Sequence, residues 1–132
     1  MKRYFKISLL ATAASFLGMT ASADPTAPLL TRDLAGIPGK EAVMLTVEMG
    51  PGQASKPHRH DADVFVYVLE GSIVMQAQGQ EAKTLKAGET FHENPSDVHL
   101  VSANASKTQP AKFLVFMVKD KGKPATRPVE AK

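Results

Sequence analysis

The sequence has 132 residues, a length that makes one domain with a modest core. It has no cysteine, which excludes disulfide bonds, a cysteine nucleophile and thiolate metal sites. Its formal net charge of +3 comes from Lys2, Arg3 and Lys6, because the chain after residue 23 carries 13 basic and 13 acidic side chains. That balanced remainder has no basic stripe with interleaved aromatic residues, so nucleic acid is excluded as a partner.

The first 23 residues have the pattern of a cleavable signal peptide. A positively charged start is followed by a largely apolar stretch, residues 7–19, and then by Ala21-Ser22-Ala23, the kind of small-residue site that signal peptidase recognises. The alternative is a membrane anchor, but about 13 apolar residues are fewer than the roughly 20 that a spanning helix needs. We therefore expect a periplasmic or secreted protein, cleaved near Ala23, with no stable membrane anchor.

Between residues 41 and 119, short apolar runs alternate with turn residues, and no segment has helical periodicity. Runs of this kind, separated by glycine, proline, asparagine and serine, are typical of an all-β sandwich or barrel. We predict a single all-β domain over residues 41–119. Seven strands are predicted within it, at residues 41–49, 63–70, 73–78, 82–86, 90–93, 99–103 and 111–118.

Two segments flank the predicted barrel. Residues 24–40 form an N-terminal arm whose Leu29, Leu30 and Leu34 side chains are available to pack. Residues 120–132 are rich in lysine, proline and threonine and have no apolar face, a composition that predicts a disordered tail.

The predicted strand at residues 63–70 is apolar on both of its faces between Val64 and Leu69. A strand that is buried on one side only would alternate with polar residues. Both faces should therefore be covered, one by the barrel interior and the other by another sheet or a partner chain. We expect a homodimer.

All four histidines lie between residues 58 and 99. His58 and His60 are two positions apart, so on an extended strand they point to the same face, and His99 belongs to a later hairpin. Imidazole is the commonest metal ligand in proteins, so three such rings could share one divalent ion. The alternative is that His58 and His60 are solvated residues of a polar loop, since Arg59 and Asp61 adjoin them.

The spacing around His58 and His60 resembles the first motif of the cupin superfamily, the small jelly-roll β-barrels. That motif has the form G-x5-H-x-H-x3-E-x6-G, and the sequence matches it from Gly52 to Gly71. The glutamate alone is missing, because Val64 stands in its place.

The region around His99 resembles the second cupin motif, G-x5-P-x-G-x2-H-x3-N. Gly88 and His99 are in register, Asn94 and Ser96 stand at the proline and glycine positions, and Asn104 is one place late. The resemblance covers roughly residues 42–119. It implies a double-stranded β-helix (jelly-roll) barrel that holds a divalent metal ion through His58, His60 and His99.

Val64 shares the strand parity of His58 and His60, so it should face the same cavity without supplying a ligand. His92 and Glu93 are the candidates to replace the missing carboxylate, and as neighbours on one strand only one can face inward. We favour His92 as a tentative fourth ligand, because it shares a face with Thr90. The alternative is that His92 is a partly exposed hydrogen-bonding residue.

Two aspartates near the histidines have more than one interpretation. Asp63 is one position away from Val64 and should face away from the cavity, unless a bulge shifts the register. Asp97 precedes His99 by two positions and would either orient that imidazole or serve as a turn residue.

The resemblance leaves the chemistry open, because cupins include dioxygenases, decarboxylases, isomerases and proteins that only bind ligands. We expect an exported cupin with iron, manganese, zinc or nickel, and a cavity for a small, partly apolar molecule lined by Val64, Val66, Val68 and Phe91. Such a site could support metal-dependent catalysis. The alternative is a non-catalytic ligand-binding or sensing module with a weakened or vestigial metal site, and no catalytic residue is assigned.

Overall fold

The computed structural model describes residues 28–129, which form two five-stranded antiparallel sheets. The ten strands are β1 (Leu30–Asp33), β2 (Lys40–Met49), β3 (His58–Arg59), β4 (Ala62–Glu70), β5 (Ser72–Ala77), β6 (Lys83–Lys86), β7 (Thr90–Glu93), β8 (Val98–Asn104), β9 (Ala111–Asp120) and β10 (Arg127–Pro128). The first sheet has the order β1-β2-β9-β4-β7 and the second has the order β10-β3-β8-β5-β6. The predicted all-β jelly-roll architecture is confirmed.

The seven predicted strands correspond to β2 and to β4 through β9, with ends that differ by at most two residues. Three short strands, β1, β3 and β10, are not among the predicted ones. The predicted signal peptide, residues 1–23, lies outside the described residues. Within residues 28–129, no helix is long and apolar enough to cross a membrane.

The core lies between the two sheets and follows from strand alternation. On β4, Val64, Val66 and Val68 face inward and are at most 2% exposed, whereas Phe65 and Tyr67 face outward and are each 45% exposed. Because successive side chains on a strand point to opposite faces, one apolar strand lines the barrel interior and also leaves an apolar surface outside.

The turn between β4 and β5 requires the glycine that ends the first motif. Gly71 has a φ of +70°, and a Cβ at this position would lie 2.6 Å from the carbonyl oxygen of Pro110. An L side chain is disfavoured in both respects. The turn therefore fixes where β4 ends relative to the loop before β9.

The prediction that the chain is disordered from Asp120 onward is wrong for residues 120–129. β9 runs to Asp120, and β10 pairs antiparallel with β3. The segment is held by polar contacts, because the buried Lys119 ammonium donates to the Glu41 carboxylate and Arg127 pairs with Asp61. Composition alone misses this order, since no apolar face produces it.

Candidate metal centre

Three of the four histidines converge at one end of the second sheet. His58 on β3 lies directly opposite His99 on β8, and their ring centroids are 5.1 Å apart. His60 follows β3, and its ring centroid is 5.0 Å from that of His58. One ring nitrogen from each residue lies within 4.8 Å of the other two. The structure thus brings together the three candidate ligands named from the sequence, although β3 is too short to carry both His58 and His60.

Backbone carbonyls fix the orientation of two of these rings. The Nδ1 atom of His58 lies 2.7 Å from the carbonyl oxygen of Lys56, and Nδ1 of His60 lies 2.7 Å from that of Ala125. A carbonyl oxygen only accepts hydrogen bonds, so in both rings Nδ1 must carry the proton. The Nε2 atoms are then left unprotonated for an ion, as is usual for metal-binding histidines.

The third ring lies beside a buried carboxylate. His99 and Glu93 have side chains 3% and 2% exposed, and Oε1 of Glu93 is 3.1 Å from Nδ1 of His99. The contact is at ion-pair distance but is not aligned as a hydrogen bond. Both ring nitrogens of His99 and the Oε2 atom of Glu93 have no hydrogen-bond partner among residues 28–129. Unmatched buried polar atoms are rare in proteins and call for an explanation.

This donor set fits a divalent transition metal. Three imidazoles suit zinc, iron and nickel, and an adjacent carboxylate supplies negative charge toward the cation. Burial, together with the neighbouring His60 and His99, lowers the pKa of His58 despite the opposing effect of the Lys56 carbonyl. A lowered pKa favours the neutral imidazole, which is the form that coordinates metal.

His92 does not belong to this cluster, and the prediction that it faces inward is wrong. Its side chain is exposed, its Nε2 atom is 3.5 Å from Oδ1 of Asp63, and its ring lies 4.8 Å from that of Phe65. The inward residues of β7 are Phe91 and Glu93. Phe91 is an apolar residue between two polar neighbours, and it is the sequence signal that identifies which face of β7 is buried.

Other motif positions have structural roles. Asp97 is a turn residue, since its carboxylate accepts a hydrogen bond from the backbone N–H of Asn94 at 2.9 Å. Ser96, at the motif's glycine position, has a φ of 72° and donates its backbone N–H to the His60 carbonyl at 2.9 Å. The Asn104 amide donates to three backbone carbonyls and thereby joins the end of β8 to two loops. Asp63 faces away from the cluster, as expected.

A cavity of about 690 Å³ adjoins the histidines. Its apolar wall includes Val64, Val66 and Met117, and Glu93 lies in the wall near the histidines. The C-terminal segment adds Ala125 and its neighbours to the lining, a contribution that sequence reasoning missed. The volume lies within the usual range for small-molecule sites.

The fold and the site together are those of a small double-stranded β-helix protein. The sequence matches the family model described as "Cupin domain" over residues 45–117. Since the match extends over more than half of the chain, this protein belongs to the cupin family. None of the curated proteins matches the chain.

Several solved structures share this fold. An uncharacterized conserved protein with a double-stranded β-helix domain from Klebsiella pneumoniae has a TM-score of 0.60 and 20% identity, covering 79% of this chain and 82% of that one. The polyketide cyclase RemF from Streptomyces resistomycificus has a TM-score of 0.56 and 26% identity, covering 69% of this chain and 62% of the cyclase.

A third similar structure is the DMSP lyase DddQ from Ruegeria pomeroyi. It has a TM-score of 0.59 and 18% identity, covering 69% of this chain and 45% of the lyase. The chain thus spans less than half the length of that enzyme.

Proposed function

We propose that this protein is an exported cupin that binds one divalent transition metal through His58, His60 and His99 and a small, partly apolar molecule in the adjoining cavity. The observation that carries the proposal is the convergence of three ring nitrogens within 4.8 Å. Nδ1 of two of the rings is held by backbone carbonyls, which leaves Nε2 available. A bound metal would supply a Lewis acid beside the apolar wall, and the protein would orient the ligand and exclude water.

The metal content of the mature protein, purified without a polyhistidine tag, tests the proposal. Elemental analysis should find about one divalent ion per chain, and the His58→Ala/His99→Ala double variant should retain less than a tenth of it. His92→Ala is the matched control, because His92 is the one histidine outside the cluster, and it should keep the full content. Equal metal content in all three proteins would overturn the proposed site.

A non-catalytic binding or sensing module is the second candidate. One observation favours it: Glu93 is the one buried carboxylate among the described residues that line the cavity, and it already lies against His99. Apart from the three histidines proposed as ligands, the lining residues within 28–129 thus include no second buried acid or base for proton transfer. Thermal-shift screening of the metal-loaded protein with small carbonyl compounds and hydroxy acids, followed by NMR of each hit, separates the candidates. Conversion of a hit supports an enzyme, and unchanged hits support a binding module.

Export is part of the proposal and rests on the pattern of residues 1–23. The mature protein should begin at Asp24 and be recovered from the periplasm or the medium. Intact-mass analysis of the exported material checks the cleavage site. An uncleaved species fixed in the membrane would overturn it.

Assembly into a homodimer is also proposed, with the outer face of β4 as its centre. Phe65 and Tyr67 are each 45% exposed and Leu69 is 39% exposed, and no sheet of the described chain covers them. Obligate interfaces commonly bury more than about 2,000 Å² in total. Sedimentation at micromolar concentration should show a dimer that Tyr67→Lys dissociates. The control Leu100→Lys changes an exposed residue on β8 and should leave the dimer intact, whereas a wild-type monomer would contradict the proposal.

A further inference from the structure

Glu93 is a buried carboxylate whose two oxygens are in different situations. Oε1 is 3.1 Å from Nδ1 of His99, whereas Oε2 is buried and has no hydrogen-bond partner among residues 28–129. Burying a carboxylate costs free energy unless it is paired, and it is usually retained where a cation or a function requires it. Lys119, the one buried lysine among residues 28–129, does not fill this role, because its ammonium donates to the Glu41 carboxylate.

The position of Glu93 on β7 relates it to the missing motif glutamate. Val64, which stands at the motif's glutamate position, is the direct cross-strand partner of Glu93. Both side chains face inward and both line the cavity beside the histidines. Directly opposed residues in an antiparallel pair have neighbouring side chains. The sheet therefore carries a carboxylate next to the position where the motif has one, but on the adjacent strand.

The three histidines share an arrangement that explains what this carboxylate does. Nδ1 of His58 and Nδ1 of His60 each donate to a backbone carbonyl at 2.7 Å, and Nδ1 of His99 lies 3.1 Å from Oε1 of Glu93. In each ring Nδ1 thus lies within 3.1 Å of a protein oxygen, although the contact of His99 is not aligned as a hydrogen bond. The acceptor of His99 differs from the other two in being anionic.

We infer that Glu93 is the positioning residue of His99: it holds the ring in the Nδ1–H tautomer so that Nε2 is presented to the metal, and it supplies the negative charge that Val64 does not. The inference rests on the proposed metal site and assigns Glu93 an indirect role, through the imidazole. Partners of this kind fix ring orientation and raise ligand basicity, and their loss typically weakens metal affinity by about 10–100-fold.

The first test compares Glu93→Gln with wild type and with the control Glu70→Gln, which makes the same chemical change on the exposed end of β4. Competition with a chromogenic chelator measures zinc affinity, and thermal unfolding measures the stability of the metal-free proteins. Glu93→Gln should weaken zinc binding by roughly 10–100-fold, and its metal-free form should unfold at the same temperature as wild type or higher, because a buried unpaired charge is removed. Glu70→Gln should leave both quantities unchanged.

A purely structural role predicts the opposite pattern, a lower unfolding temperature for metal-free Glu93→Gln with unaltered zinc affinity, and that result would overturn the inference. Wild-type protein that binds no zinc would overturn the proposed function itself, which keeps the two failures distinct. A measurement on wild type needs no variant: long-range ¹H–¹⁵N NMR of the metal-free protein reports the tautomer of His99. The Nδ1–H form is expected, and the Nε2–H form would contradict the inference.

Discussion

Glu41 and Glu93 are both buried, at 8% and 2% exposed, but they differ in how their oxygens are matched. Oε1 of Glu41 accepts from the Lys119 ammonium and, at 3.2 Å, from the backbone N–H of Gly122. Glu93 has a histidine beside one oxygen, and its other oxygen has no hydrogen-bond partner among the described residues.

The difference shows how one fold uses the same side chain for two purposes. The pair of Glu41 and Lys119 ties β2 to the turn after β9, and the Lys119 ammonium also donates to the carbonyl of Lys123 at 2.5 Å. The C-terminal segment is thereby held where the Ala125 carbonyl meets His60. A carboxylate paired with an ammonium thus holds the chain together, whereas one without a cationic partner lies where a metal cation would be stabilised.

The largest effect is expected when a second carboxylate is placed beside Glu93. In Val64→Glu, the new carboxylate would lie directly opposite Glu93 on the neighbouring strand, with both side chains facing inward. Like charges on directly opposed side chains disfavour ionisation of both. The metal-free variant should lose about 3–5 kcal/mol of unfolding free energy. A divalent ion should then raise its melting temperature by more than it raises that of wild type.

Val66→Glu is the matched control for this experiment. Val66 is also inward-facing and lines the cavity, but its cross-strand partner is Phe91. It should be destabilised similarly and gain no additional protection from the metal. If the metal protects Val64→Glu no more than wild type, Val64 is a packing residue remote from the ion.

The next largest effect is expected when the paired carboxylate loses its partner. Lys119→Met leaves Glu41 buried without its cation, and removal of one partner of a buried pair is strongly destabilising. The melting temperature should fall by roughly 10 °C or more. The double variant Glu41→Gln/Lys119→Met removes both charges and should recover part of the loss. A fall of only about 1–2 °C in Lys119→Met would show that the pair contributes little to the fold.

The pH dependence of stability distinguishes the paired carboxylate by its sign. The Lys119 ammonium holds the pKa of Glu41 below its usual value, against the opposing effect of burial. A lowered folded-state pKa means that the stabilisation is fully present above the unfolded-state pKa, about 4.3, and is lost as the pH falls through the folded-state value. The difference in melting temperature between wild type and Glu41→Gln should therefore be widest near neutrality and narrow below about pH 4. A difference that grows in acid would contradict this assignment.

The strand pattern predicted most of the fold, because alternation of apolar residues is a local property. It predicted β2 and β4 to β9 to within two residues at each end. The spacing of His58, His60 and His99 likewise named the three residues that converge. What the sequence did not reveal is order that comes from contacts between distant residues, as in β10, which pairs with β3.

The prediction that His92 rather than Glu93 faces inward is wrong because it assigns the wrong alternation of faces to β7, a strand of only four residues. Thr90 and His92 share one face of β7, but the apolar Phe91 requires the opposite face, with Glu93, to be buried. The carboxylate beside His99 could then have been predicted. Its pairing with Val64 could not, because register between β4 and β7 depends on the turn geometry and packing of the whole sheet.

The smallest effect is expected in the turn that joins Glu93 to His99. Ser96 has a φ of 72° and is the one non-glycine residue among residues 28–129 with a left-handed backbone conformation. In the turn whose backbone N–H bonds Glu41, the residue with the same φ of 72° is a glycine, Gly122. A left-handed conformation costs an L residue roughly 1–2 kcal/mol, partly offset by the greater chain entropy that glycine loses on folding. Ser96→Gly should therefore stabilise the protein by about 0.5–1 kcal/mol, a rise of roughly 2–6 °C in melting temperature.

Ser96→Ala is the control, because it removes the hydroxyl and keeps the strain, and it should give no gain. The backbone N–H that donates to the His60 carbonyl is present in both variants, so zinc affinity should stay within about twofold of wild type. A Ser96→Gly protein that melts no higher than wild type would show that the turn carries no strain, and that the serine at the motif's glycine position is accommodated without cost.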